Sequence, residues 1–300
     1  MKIGLYGNLT LDELDQDGKS LVRPGGSAFY SSLAASHLGA RVSIVSNVGR
    51  DFPRNALSFI NKRGIDVSGV KKLDGHTTRF RISYRGESRK LELVHSGEKL
   101  TPKRTLGSFQ AIHLGPVFLE VGLETLSYAR QHSKFLSVDV QGLLRAEGPR
   151  GVVRLQRRRI EPFLSKCNLV KATEDEARVI APDATIVSVA RRILHKGPQY
   201  VIITRGQSGS LLVEKGGDAR QIPSVPEARI VDRTGAGDIF VGSWLATFLS
   251  LGDASWAGAV GSAFASLSIR AIGIAKFRFT REELFRRAAR AYDNLRIVKG

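Results

Sequence analysis

Over residues 1 to 64 the chain alternates twice between an apolar strand run and a helical run, and few folds accept that order. Met1 to Asn8 reads as a buried strand, and Ser27 to Leu38 as a helix stopped at Gly39. Arg41 to Val48 reads as a strand, and Pro53 to Arg63 as a helix that opens on proline and ends at Gly64. The class is therefore α/β, with parallel strands joined by right-handed crossovers and ligands bound beyond the strands' carboxyl ends. Strands near Ala111 to Leu114, Phe135 to Val138, Leu169 to Val170 and Tyr200 to Thr204 continue the pattern. Leu211 to Val213 and Arg220 to Ile222 read as antiparallel edge strands around Gly216-Gly217-Asp218, and three helices finish the chain. In the last of them Leu284, Phe285, Ala288, Ala289, Tyr292 and Leu295 form a stripe at helical spacing, expected to be core.

The period changes in two places. Leu11 to Pro24 contains Asp17-Gly18, a two-residue hairpin signal. From about Val70 to Leu93, Thr78, Phe80, Ile82 and Tyr84 share one strand face while Arg79, Arg81, Ser83 and Arg85 share the other; Leu91 and Leu93 continue the alternation after a turn at Gly86. A sheet this small is not stable alone, so its apolar face must cover something.

Chemistry concentrates at Ile230 to Gly242, where a short apolar strand meets a helix through Thr234-Gly235-Ala236-Gly237-Asp238. Small side chains let backbone N–H groups approach an anion, and the helix adds its positive dipole end. A carboxylate beside bound phosphate is poorly explained by binding alone, so Asp238 reads as the base that takes a proton from an attacking hydroxyl. The same residues would also serve an ordinary strand-to-helix turn, whose first helical positions favour acidic side chains.

At this point the chain resembles a ribokinase-type sugar kinase of the PfkB family, whose late signature has the Asp-Thr-x-Gly-Ala-Gly-Asp form. Gly25-Gly26-Ser27-Ala28-Phe29-Tyr30, running on to His37-Leu38-Gly39-Ala40, is similar to the family's N-terminal glycine pair and following helix. Gly7-Asn8-Leu9-Thr10-Leu11-Asp12, Ala172-Thr173-Glu174-Asp175-Glu176-Ala177 and Thr204-Arg205-Gly206-Gln207-Ser208-Gly209 match further family blocks in family order. The resemblance implies one ribokinase-like three-layer α/β/α domain over residues 1–300. Its mostly parallel central sheet would carry a small β-sheet lid formed by about 11–24 and 70–95, which often pairs with a second subunit.

Carried over by position, the resemblance makes Asp238 the catalytic base and Gly235, Ala236 and Gly237 the anion hole. Asp12, Gly25 and Gly26 would line the acceptor site. Thr204, Gly206, Gly209 and Gly273 would border the ATP nucleotide. Glu176 would organise Mg2+ through water, although Thr173 stands where the family motif has Asn. Asp232 and Thr234 match positions that often hold a monovalent cation such as K+. Arg233 replaces a common Thr and is read as solvent-facing.

Substrate identity rests on fewer residues. Tyr30 stands where ribokinases usually have Asn, which argues against ribose. Asp139, Gln141 and Arg145, within Ser137 to Arg145, resemble the Asp-x-Gln-Gly-x-x-Arg stretch of the inositol kinase-like branch. Asp139 and Gln141 would bind hydroxyls and Arg145 would neutralise phosphate; alternatively Asp139 caps the next segment and Arg145 is solvated. The favoured reading is an ATP-dependent kinase of a polyol or sugar, myo-inositol foremost. A nucleoside kinase, with Phe80 or Tyr84 stacking on a base, and a nucleic-acid-binding or ligand-sensing protein on the same fold are the rivals.

The net charge of +18 attracts polyanions, with Arg157-Arg158-Arg159 and Arg281, Arg286, Arg287 and Arg290 as its densest runs. No nucleic-acid docking motif accompanies them, so only weak, non-specific binding is expected. No Walker A sequence, protein-kinase motif or His/Cys zinc spacing occurs. The single cysteine, Cys167, reads as a small core residue. Without a signal peptide or an apolar run of spanning length, the expectation is a cytoplasmic protein with no membrane partner.

Overall fold

A computed structural model describes residues 1–16, 19–85, 88–101 and 106–299. The Asp17-Gly18 and Gly86 turns, and the side chains of Tyr84 and Arg85, lie outside the described residues. Along the chain, β1 (Lys2–Tyr6) is followed by β2 (Thr10–Gln16), β3 (Lys19–Gly25), α1 (Ser27–His37), β4 (Arg41–Val48), α2 (Arg54–Asn61) and β5 (Asp66–Lys72). Next come β6 (Thr78–Arg85), β7 (Ser88–His95), β8 (Phe109–Leu114), α3 (Leu123–Gln131), β9 (Ser133–Asp139) and the one-turn α4 (Gln141–Leu144). The short pair β10 (Arg145–Glu147) and β11 (Val153–Leu155) precedes α5 (Glu161–Lys166), β12 (Leu169–Thr173), α6 (Glu174–Ile180) and α7 (Ile186–Leu194). The remainder is β13 (Tyr200–Thr204), β14 (Ser210–Glu214), β15 (Ala219–Ile222), α8 (Ala236–Leu251), α9 (Ala254–Ser268), α10 (Arg281–Asp293) and β16 (Arg296–Val298).

Among the described residues a ten-stranded sheet has the order β16-β15-β14-β13-β12-β9-β8-β1-β4-β5. Neighbours from β5 to β13 run parallel, and β13 to β16 are antiparallel. Two cores fill its faces. Ile3 and Leu5 of β1 point into one, with apolar residues of α1, α2, α8, α9 and α10, while Tyr6 points into the other with α3, α5, α6 and α7. This period-two split of a strand buried on both faces makes the run almost wholly apolar, each large side chain contributing about 1.5–3 kcal/mol. The fold is thus an α/β layer structure with a large, mostly parallel central sheet, as the resemblance implies.

Helix α8 is apolar on nearly every side because it lies between α1 and α9. A Cβ at Gly242 would stand 2.4 Å from Ser31 O, so only glycine permits this approach of α8 to α1. Ser31 Oγ donates to Asp238 O at 2.9 Å, fastening the start of α8 to α1.

The second sheet has the order β3-β2-β6-β7, with β2 and β6 parallel and the other pairs antiparallel. Leu14, Phe80, Ile82 and Leu93 form its apolar face and pack with Val117; Glu13 pairs with Arg79 and Arg81 on the other. Residues 70–72 belong instead to β5 of the large sheet, paired with Ser46 to Val48. The stripe on α10 also needs correction. Leu284 and Ala288 are buried, but Phe285 and Tyr292 are each 39% exposed and flank Trp256, and Ala291 supplies the third core position. Beyond α10 the chain adds β16 to the sheet edge, a strand too short to register as a periodic run. Cys167 is buried, which pushes its thiol pKa up and suits the core role.

Candidate functional site

The glycine turn is shaped from both sides. Asp232 Oδ1 accepts from Thr234 N at 2.8 Å, an aspartate turn that starts the bend. Gly235 then adopts φ 76° as the cap of α8, and a Cβ there would lie 2.4 Å from the Tyr30 ring. Backbone hand and lack of space both require glycine. The first N–H groups of α8 have no intrahelical acceptor, and Gly235, Ala236 and Gly237 line a cavity of about 150 Å³.

Asp238 lines the same cavity in the first turn of α8. Burial and then the nearby Asp139 carboxylate push its pKa up to about 6, while Lys171 pulls it down. Gln141 Nε2 donates to Asp238 Oδ1 at 3.2 Å, and Gln141 Oε1 accepts from Arg145 Nη2 at 3.1 Å. Arg145 also donates to Val117 O at 2.8 Å, so its guanidinium is held at the cavity wall above the Phe80 ring. Residues of the small sheet (Asp12, Phe80, Ile82 and Leu91) close the opposite side.

Two of the sequence-derived acceptor residues sit differently from expectation. Asp139 is fully buried behind the cavity, where Oδ2 pairs with Lys171 Nζ at 2.7 Å and Oδ1 accepts from Gln141 N at 3.0 Å. With its oxygens on Lys171 and Gln141 it supports those two residues and does not itself line the cavity. Gly25 also stands back: a Cβ there would meet Asp12 Oδ2 at 2.1 Å, so Gly25 makes room for Asp12, whereas Gly26 lines the cavity. Asp12 Oδ1 accepts from Thr10 Oγ1 at 2.7 Å.

The geometry joins a glycine turn at a helix N-terminus, a buried carboxylate of raised pKa and a cavity of about 150 Å³ at the carboxyl ends of parallel strands. Residues 3–277 match the model of the pfkB family carbohydrate kinases. This chain belongs to that family. It is 31% identical over 254 residues to the cytidine kinase of Thermococcus kodakarensis, covering 81% of this chain and 87% of that one. It is 30% identical over 266 residues to an inositol 3-kinase of Oryza sativa subsp. japonica, covering 84% of this chain and 64% of that protein. A pyrophosphate-dependent kinase in the ribokinase family, solved with a pyrophosphate analog and myo-inositol, superposes with a TM-score of 0.80 at 22% identity, over 94% of this chain and 99% of that one. At that identity the superposition shows the shared fold.

In the pfkB kinase described here, Thr204 ends β13 and Gly206 begins the turn after it, whose Gln207 and Ser208 line a separate groove of about 940 Å³. That groove runs beneath Gln221 and residues 223–226 and is walled by Arg286, Arg287, Arg290 and Arg296. Gly209 packs against β15, where a Cβ would meet Ile222 O at 2.1 Å. Gly273 has open space around it. Glu176 is buried and closes a capping box: Thr173 N donates to Glu176 Oε2 at 2.8 Å and Thr173 Oγ1 accepts from Glu176 N at 3.4 Å. Thr173, the departure from the family pattern, is therefore a helix cap. Arg233 is exposed but still lines the cavity mouth.

Asp232 and Thr234 are the sites where the structure departs most from expectation. Asp232 Oδ2 lies 2.7 Å from Arg23 Nη2 and 3.3 Å from Lys276 Nζ, so the carboxylate already has two cationic partners. The carboxylate expected to face a monovalent metal cation faces Arg23 and Lys276 instead.

Lys171, Lys276, Arg23 and Glu120 were not singled out from sequence. Lys171 lines the cavity, 3% exposed, and its Nζ would be 3.0 Å from a Cβ at Gly237. Burial opposes its charge, but Asp139, Glu176 and Asp238 outweigh that and hold its pKa above the ordinary range. Its signal was a lone lysine inside the apolar run Leu169 to Ala172. Glu120 accepts from the N–H groups of Asn8, Val117 and Phe118, pinning the loops after β1 and β8 beside the cavity.

Proposed function

We propose that this kinase transfers the γ-phosphoryl group of ATP to a hydroxyl of a small polyol or sugar, with myo-inositol or a related ring favoured. The observation that carries this reading is the cavity: about 150 Å³, a volume that takes one six-membered ring, opening on Asp238 and walled by polar groups on one side and the small sheet on the other. Asp12 accepts from acceptor hydroxyls and Asp238 takes the proton from the attacking one. Gln141 orients Asp238, and the Gly235 to Gly237 N–H groups with Lys171 and Arg145 receive the developing phosphate charge.

The donor lies toward the Thr204 to Gly209 turn and its neighbouring groove. Glu176 fits Mg2+ only in the manner such ions prefer with nucleotides, through water and together with phosphate oxygens, since one of its oxygens serves the Thr173 N–H. When bound, the ion offsets phosphate charge. Among the described residues no cluster of three or more His, Cys, Asp or Glu forms a protein-only metal cage.

The small sheet acts as a lid over the acceptor. Its edge strand β3 exposes Leu21 (53%) and Val22 (46%), which supports a second copy pairing there to give a homodimer. Among the described residues no helix is long and apolar enough to cross a membrane. The second reading, a nucleoside kinase, is favoured by the Thermococcus cytidine kinase and by Phe80 on the cavity wall, where a base would stack.

Asp12→Asn tests the acceptor assignment. Losing a charged hydrogen-bond acceptor is expected to raise the acceptor KM roughly 10- to 100-fold while the ATP KM stays unchanged. Equal changes in both constants would place Asp12 outside the acceptor site. The pH dependence tests the base: Asp238 must be ionised to accept a proton, so kcat/KM is expected to fall as pH drops through about 6. A profile flat to pH 5 would contradict that role.

A further inference from the structure

Lys276 is fully buried, and its ammonium lies in a shell of oxygens at the root of the glycine turn. Nζ donates to Asp232 O at 2.6 Å and Ser268 O at 3.2 Å, and Asp232 Oδ2 stands 3.3 Å away. Two main-chain carbonyls and a carboxylate are the donor set that a potassium ion takes, and ammonium is of similar size and equal charge. The same segment is fixed on its outer side, where Val231 N and Asp232 N donate to Ile269 O at 2.8 and 3.1 Å.

We infer that Lys276 is a built-in monovalent cation, covalently supplied, which holds Asp232 and the anion-binding turn in shape and makes this kinase independent of potassium. Charge balance supports the assignment. Asp232 already faces the cations of Arg23 and Lys276, so an added metal cation would meet their repulsion as well as an occupied shell. Holding the shell with a tethered ammonium also avoids the entropy of capturing a free ion each time the turn orders. Arg23 lies on β3 of the small sheet, so the same carboxylate ties that sheet to the turn. The inference uses the kinase reading only for its activity readout.

Two measurements test it, each made at constant ionic strength with potassium exchanged for tetramethylammonium. For the unmodified protein, turnover and thermal midpoint are expected to be the same in both salts. Lys276→Ala removes the ammonium and leaves the carbonyl shell beside a charge-balanced Asp232–Arg23 pair. That variant is expected to lose activity roughly tenfold or more without potassium, as when one element of an anion hole is disturbed. Potassium or ammonium should then restore it saturably, with a thermal midpoint that rises with ion concentration by mass action. The midpoint needs no acceptor, so it reports on the cation shell even if the substrate assignment fails. Saturable potassium activation of the unmodified protein, with a rise in its midpoint, would overturn the inference. So would a Lys276→Ala protein whose activity and midpoint ignore both ions. If that variant does not fold, the unmodified protein's response to potassium still decides.

Discussion

Asp238→Asn is expected to lower turnover by at least about a hundredfold, the lower end for removing a general base, with nucleotide binding retained. The amide keeps the shape of the carboxylate and can still accept from Gln141 Nε2, but it cannot take a proton from the acceptor hydroxyl. Folding gives an independent control. The pKa of Asp238 is raised in the folded protein, so its charged form opposes folding once pH exceeds that of an ordinary aspartate. A neutral amide removes that opposition, and the variant's thermal midpoint at neutral pH should equal or exceed the parent's. A slow but well-folded enzyme is the predicted outcome. Near-normal turnover would remove Asp238 from the role of base, and a large loss of stability would make it a structural residue.

Lys171→Met should damage both stability and turnover. It leaves the Asp139 carboxylate fully buried with its ionic partner gone, a change that costs about 3–5 kcal/mol when one member of a buried pair is removed. Asp238 and Glu176 lose the same neighbour, so their carboxylates become harder to ionise and the acid limb of the pH profile should move upward. Adding Asp139→Asn removes the orphaned charge. The double variant is therefore expected to regain much of the lost stability while staying slow, because the ammonium proposed to receive phosphate charge is still missing. Denaturant unfolding of the four proteins measures the coupling. Additive losses in the double variant would mean that Lys171 and Asp139 do not act as a pair.

What could be read from the sequence was what is local in the chain. The Gly235 turn shows because hand, size and helix start are encoded within a few consecutive residues, and Asp238 is one of them. The parallel order of β1, β4, β8, β9, β12 and β13 follows from strand and helix alternation. Asp139 shows the limit: its place at a strand end was correct, but its direction depends on Lys171, 32 positions away and brought beside it by sheet order. Lys276 and Arg23 reach Asp232 from 44 and 209 positions away in sequence, and no spacing rule links them. Residues 70–72 were read with the small sheet because alternation alone does not say which sheet a strand joins. The exposure of Phe285 and Tyr292 arises because α9 covers only part of the α10 stripe, leaving both rings at the rim beside Trp256.

Under the proposed function, a hydroxyl of a small ring is phosphorylated beside Asp238. The most direct test is kcat/KM with ATP and Mg2+ across a panel of myo-inositol, ribose, fructose, cytidine and adenosine. Buried polar groups discriminate strongly against ligands that leave them unpaired, so a matched acceptor should stand well clear of the rest. The predicted result is that myo-inositol is phosphorylated faster than ribose, fructose or either nucleoside. A clear preference for cytidine or adenosine, or no transfer to any hydroxyl, would contradict it.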